Sequence, residues 1–239
     1  MSSTSPPGRP AVLGTRKPCI AAAAGLVVFL ALLVSAGDLL PWAGGFDLAV
    51  HRWSATDRSA GLTSFAAGVT STASSAFTAP LVFVVAVALT PGPVRAKLNR
   101  AVLVLLLMLL GVLTRYAISE LIARPRPPAS DWAVDAGGLS FPSGHTSDAA
   151  LAAGLIAWLV VRRFARAPRW LVWLIAVAYA LTIAWTRVYL GVHWPTDVLG
   201  SLAFVTTWLS AALVLQRIDE REANDRPGHA VPDRSDLTR

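Results

Sequence analysis

One cysteine in 239 residues, Cys19, leaves this chain no internal disulfide and no cysteine-based metal cluster. It also stands at the very start of the first apolar run, where the lipid-bearing cysteine of a bacterial lipoprotein would follow that run. Charge is scarce too. Asp, Glu, Lys and Arg make up 15% of the sequence, against about a quarter in ordinary soluble domains, while 54% is hydrophobic. The 21 basic and 14 acidic residues give a net charge of +7. The basic residues fall in short clusters between apolar stretches, so they do not form the continuous basic face of a nucleic-acid binder. No internal repeat organises the chain.

Long apolar runs are abundant. Six of them, at 18–40, 72–90, 101–122, 147–161, 170–185 and 198–216, reach or approach the roughly 20 helical residues that cross a ~30 Å hydrocarbon core. They imply an all-α, polytopic membrane bundle of about six transmembrane helices. Arg9, Arg16 and Lys17 precede the first run, Arg95, Lys97 and Arg100 follow the second, and Arg162, Arg163, Arg166 and Arg169 follow the fourth. All three clusters fall on one side, and the retention of positive charge in the cytoplasm makes both termini cytoplasmic. The expected organisation is a cytoplasmic segment at 1–17, the bundle at 18–216 and a polar, disordered cytoplasmic tail at 217–239. A cleaved signal peptide ending at Val34-Ser35-Ala36 is the alternative for the first run. That run is long for a signal, and cleavage would leave an odd number of spans. The stretch 46–67, with Trp53 and Phe65, reads as an interfacial amphipathic segment over the outer mouth.

The outward segments are poorer in positive charge overall, and Arg124, Arg126 and Arg187 are the outward arginines at or near the bilayer boundary. Charge near the bilayer boundary is costly and marks a site. Three constellations share that side. Pro142-Ser143-Gly144-His145 opens the fourth span, where backbone N–H groups at a helix start favour an anion; a simple helix cap with an interfacial histidine is the plainer reading. Arg187-x5-His193-x3-Asp197 leads into the sixth span, with Pro195 starting the helix. That spacing lets Asp197 fix one ring nitrogen of His193 and leaves the other free as a nucleophile; an acid at the helix start beside an unrelated histidine is the plainer reading. In Arg124-Pro125-Arg126-Pro127-Pro128 the prolines hold two guanidinium groups on a stiff turn, an anion clamp; a proline stop signal would explain the prolines but not the outward charge. His51 and His229 lack such company and read as incidental.

The order and content of these segments resemble the type 2 phosphatidic acid phosphatase superfamily, shared with bacterial acid phosphatases and vanadium haloperoxidases. The family pattern is Lys-x6-Arg-Pro, then Pro-Ser-Gly-His, then Ser-Arg-x5-His-x3-Asp. Arg126-Pro127, Pro142 to His145, and Arg187, His193 and Asp197 fit it, while Thr186 stands at the serine position. The resemblance implies that His193 attacks phosphorus to form a phosphohistidine, oriented by Asp197, and that His145 protonates the leaving oxygen and then activates water. Arg126, Arg187, Ser143 and Gly144 would hold the phosphate, with Arg124 as a further candidate. Where the family has lysine, this chain has Ser119; Arg115, one helical turn earlier, is the candidate to replace it.

By that resemblance the protein is a lipid-phosphate phosphatase of the cell membrane, with its site facing outward and no cofactor. Undecaprenyl-like diphosphate, phosphatidic acid and phosphatidylglycerol phosphate all suit a tail in the bilayer and a phosphate at its surface. The partners expected are the bilayer and the lipid phosphate, with no nucleic acid. A metal site built from His145, His193 and Asp148 or Asp197 is disfavoured, because the surrounding arginines repel a cation. A binding or transport protein with the same clamp, and a phosphotransferase using the same residues, are the competing functions.

Overall fold

The computed structural model describes residues 16–36 and 41–225. Arg9, His229 and the tail beyond Asp225 lie outside the described residues. Among those residues the chain forms α1 (Arg16–Ala36), α2 (Pro41–Thr56), α3 (Ala60–Ser71), α4 (Ser75–Leu89), α5 (Val94–Ile122), α6 (Gly144–Arg163), α7 (Arg169–Tyr189) and α8 (Pro195–Asp225), with one 3-10 turn at Ala129–Asp131 and no strand. α1, α5, α6, α7 and α8 are each long and apolar enough to cross a membrane. α3 and α4, bent by 52° at their junction, pass that test only together.

Three expectations change here. The run at 72–90 is not a self-contained element, because α4 is continued backwards by α3 across a short break. The amphipathic stretch at 46–67 is likewise divided between α2 and α3. α3 looks too polar for such a place in sequence, but its hydroxyls turn inward onto their own helix. Thr63 donates to Ser59 O at 2.9 Å, Ser71 to Gly68 O at 2.7 Å and Thr72 to Val69 O at 2.7 Å, which spends their polarity locally. At the far end, α8 runs past 216 to Asp225, so helix occupies the start of the segment expected to be a disordered tail.

α6 is the most buried of the five long helices and packs against α4, α5, α7 and α8, while α1 lies along α8. Gly25 permits that approach: a Cβ there would stand 2.7 Å from Thr207 Oγ1, and small residues let helix backbones come close in a membrane. The outer faces of α5 and α7 expose Leu103, Leu106, Leu110, Leu113, Leu174 and Ile175, the apolar surface lipid requires.

The C-termini of α5 and α7 and the N-termini of α6 and α8 carry the three constellations. α5 must stop before Arg124, whose following proline disfavours helix; Ala123 turns the chain at φ 51. Phe141–Pro142 is a cis peptide leading into α6. Beyond α7, Gly191 takes φ 76, and a Cβ there would come within 2.6 Å of Asp131 O, so glycine is required for the turn that delivers His193.

Candidate active site

His193 is 1% exposed. Its Nδ1 lies 3.3 Å from Asp197 Oδ2, and its Nε2 lies 2.9 Å from Arg126 Nη1. A guanidinium only donates, so Nε2 carries the lone pair and Nδ1–H points to the carboxylate. Burial pushes the imidazole down to about 4. The bond to Asp197 opposes that shift, and the charges of Arg126 and Arg187 add to it. The ring is therefore neutral near pH 7, with its free nitrogen facing a guanidinium.

Asp197 is buried at the start of α8 and collects donors from several segments. Oδ1 accepts from Arg124 Nη1 at 2.5 Å. Oδ2 accepts from Ser140 Oγ at 2.5 Å and from Trp194 N at 2.8 Å, besides His193. Arg124 also reaches Asp47 Oδ2 at 2.7 Å and Thr196 Oγ1 at 2.7 Å. Asp47, from α2, accepts in addition from Thr196 N at 2.9 Å and from Thr196 Oγ1 at 2.6 Å. Burial works against the charge of Arg124, but Asp197 and Asp47 outweigh it and raise the guanidinium above its usual range.

Arg126 is held differently. Its Nε donates to Gly138 O at 3.0 Å, Nη2 to Gly137 O at 2.8 Å and Nη1 to Val192 O at 2.7 Å. Burial lowers its affinity for its proton, Asp197 opposes this, and Arg115 adds to it. Trp194 Nε1 and Trp132 Nε1 grip Pro125 O and Pro127 O at 3.0 and 2.9 Å, which fixes the turn that carries both arginines.

A cavity of about 560 Å³ opens in front of these groups, lined by Arg115, Arg126, Arg187, His145, His193, Gly144 and Ser119 among others. Arg187, on the last turn of α7, donates to Thr70 Oγ1 at 3.2 Å. Arg115 approaches the start of α6, its Nη1 3.5 Å from where a Gly144 Cβ would be. Three guanidinium groups, a helix start and two imidazoles thus surround one space, a setting for a phosphoryl dianion. Among the described residues no three His, Cys, Asp or Glu side chains gather into a metal-holding group.

Residues 100–222, more than half of the chain, match the PAP2 superfamily. The chain belongs to the PAP2 superfamily. It is 32% identical over 159 residues to phosphatidylglycerophosphatase B of Bacillus subtilis, covering 66% of this chain and 76% of that protein. It is 26% identical over 113 residues to an undecaprenyl-diphosphatase of Sulfolobus acidocaldarius, covering 43% of this chain and 46% of that one. The crystal structure of a transmembrane PAP2-type phosphatidylglycerolphosphate phosphatase from Bacillus subtilis superposes with a TM-score of 0.72 at 26% identity, covering 84% of this chain and 96% of that one. This PAP2 chain is accordingly a multi-pass membrane protein.

Several sequence expectations shift in this PAP2 site. Arg124 was expected on the phosphate clamp, but it stands behind Asp197, absorbed by two carboxylates, and does not line the cavity. Ser143 precedes α6 without a side-chain capping bond; Thr146 Oγ1 donates to its Oγ at 3.1 Å, and Ser201 Oγ donates to its carbonyl at 3.1 Å. Thr186 donates to Ile183 O and so serves its own helix. His51, read as incidental, is buried, with Nε2 2.9 Å from Asp131 Oδ2 and its ring 5.2 Å from that of Trp194. That bond holds the Asp131 carboxyl below the usual carboxylate range. Asp47, Ser140 and Arg58, which donates to Tyr189 O at 2.9 Å, escaped the sequence reading. The i, i+4 spacing of Asp47 and His51 on α2 was the signal available.

Proposed function

We propose that this protein hydrolyses a lipid phosphate by way of a phosphohistidine at His193. The observation that carries the reading is the unprotonated His193 Nε2, 2.9 Å from Arg126, in a cavity with two further arginines. In the first step Nε2 attacks phosphorus, the bond from phosphorus to the leaving oxygen breaks, and His145 gives that oxygen its proton. In the second step His145 takes a proton from water, the water oxygen attacks phosphorus, and the phosphorus–nitrogen bond breaks. One group serves in turn as acid and base. Asp197 holds the tautomer and offsets the positive charge on His193, and Arg126, Arg187, Arg115 and the backbone at Ser143 and Gly144 hold the equatorial oxygens. Positive groups supplied by arginine remove the need for a metal to neutralise the phosphate.

In this reading the chain has six spans, with α3 and α4 together forming the second, both termini are cytoplasmic and the cavity faces outward from the cell membrane; the arginine clusters of the 90–100 and 162–169 segments support this orientation. The bundle at 18–216 is the catalytic unit in this reading. The named relatives act on phosphatidylglycerol phosphate and on undecaprenyl diphosphate, which supports a lipid-borne phosphate as substrate here.

The test is phosphate release from phosphatidylglycerol phosphate, phosphatidic acid and a polyprenyl diphosphate by the purified protein in detergent with chelator, beside His193→Ala. The expected result is chelator-resistant release that disappears in the variant, with acid-labile phosphate trapped on the wild type. Release that persists in His193→Ala, or no release from any substrate, overturns the reading.

A further inference from the structure

In-line displacement at phosphorus makes the leaving group depart opposite His193, on the side of the acid that protonates it. His145 supplies that acid in the reading above. Asp148 follows it by three residues on α6, so the two side chains occupy the same face one turn apart. Asp148 is 4% exposed and lines the same cavity. Ser75, the first residue of α4, donates to its Oδ2. Its Oδ1 is buried and has no hydrogen-bond partner among the described residues. A buried carboxylate oxygen without a donor is costly, and such atoms are normally satisfied.

The surroundings state what the missing donor is. Ser71, Ser74 and Ser119 line the same cavity as Asp148, with Arg115 and Glu120 beside Ser119 on α5, and Ser74, though placed to cap α4, makes no side-chain capping bond. Hydroxyl groups and a carboxylate suit a polyol. They suit a second phosphate badly, because a dianion beside Asp148 meets like charge while the arginines are engaged by the phosphoryl group undergoing transfer.

We propose that Asp148 determines the leaving group, accepting a hydrogen bond from a hydroxyl on the carbon next to the ester, so that the site selects a phosphorylated polyol headgroup over a lipid diphosphate. This rests on the phosphatase reading and names the substrate class for it. Glycerol phosphate headgroups satisfy the requirement, whereas phosphatidic acid, whose diacylglycerol leaving group has no free hydroxyl, does not.

The experiment compares kcat/KM for phosphate release from three probes: phosphatidylglycerol phosphate, the same lipid lacking the headgroup's secondary hydroxyl, and farnesyl diphosphate. A hydrogen bond to a charged acceptor predicts that the wild type favours the hydroxylated probe over its deoxy analogue by roughly tenfold or more. Asp148→Ala should bring that ratio near one. Asp148→Asn, which keeps the shape and removes the charge, should raise farnesyl diphosphate relative to the hydroxylated probe several-fold. A wild-type ratio near one, or variants that lower all three probes equally, overturns the assignment while leaving the phosphatase intact. No release by the wild type from any probe overturns the phosphatase reading itself.

Discussion

Arg124 donates to Asp197 Oδ1 at 2.5 Å, which leaves Oδ2 to the imidazole of His193, Ser140 Oγ and Trp194 N. Two arginines two residues apart on one proline-rich turn are thereby divided: Arg126 meets the cavity, and Arg124 acts on His193 only through the carboxylate behind it.

Replacing Arg124 leaves Asp47 and Asp197 facing one another without their shared cation. Loss of one partner from a buried ion pair costs about 3–5 kcal/mol, so Arg124→Ala should unfold at a clearly lower temperature in detergent. Arg126→Ala should lose most phosphate release with a smaller fall in Tm. Equal Tm values for the two variants would place Arg124 on the clamp after all.

Asp47→Asn tests the strut at its far end. It lies outside the cavity, yet it should lower kcat by roughly tenfold, the scale seen when a supporting hydrogen bond behind an active group is removed, with KM little changed. A change in KM alone would contradict the chain of contacts from Asp47 to His193.

The neutral state of His193 has a consequence for stability. The unfolded imidazole titrates near 6.5 and the folded one at about 4. Between those values the unfolded chain binds a proton that the folded chain refuses, so stability falls as pH drops through that window and is fully restored above it. Tm measured from pH 7 to 4.5 should decline more steeply for the wild type than for His193→Asn. Parallel curves would mean that the ring is not held neutral.

Arg115 and Ser119 line the same cavity, and the family lysine belongs at the second of these positions. Arg115→Ala should reduce kcat/KM by roughly 10- to 100-fold, the range for a lost charged hydrogen bond. Adding Ser119→Lys should recover most of it. A double variant no better than Arg115→Ala would show that the two positions are not interchangeable.

Orientation is testable with single cysteines on a Cys19→Ser background. Asp57 and Arg166 are both exposed. A membrane-impermeant maleimide should label Asp57→Cys in intact cells and Arg166→Cys only after permeabilisation. The reverse pattern would invert the topology.

Most helices were legible because apolar runs of this length have few other uses; all but the second of the expected runs lie largely within the long helices. The second was obscured because serine and threonine hide their polarity in bonds to their own helix, so α3 looks like a surface segment. The three motifs were legible as parts of one place, since Arg126, Arg187, His145 and His193 do line one cavity. Arg124 was not separable from Arg126 by residue type. A proline-rich segment favours a threefold screw, on which side chains two apart point about 120° from one another. Asp47 was hard to read for a different reason: its i, i+4 spacing to His51 is the only local signal, and its partners at 124 and 196 form a pairing that only tertiary structure creates.

The carboxylate of Asp197 joins donors at 124, 140, 193 and 194, and Arg124 carries the network back to 47. Closing loops of that length costs chain entropy before any contact rewards it. The imidazole of His193 is thus oriented only after α2, the loop beyond α5 and α8 have all docked, so under the proposed mechanism catalysis belongs to the last stage of assembly. A nascent chain released before α8 gains no partial activity, and the onset of phosphate release during synthesis would serve as a clock for the completion of folding.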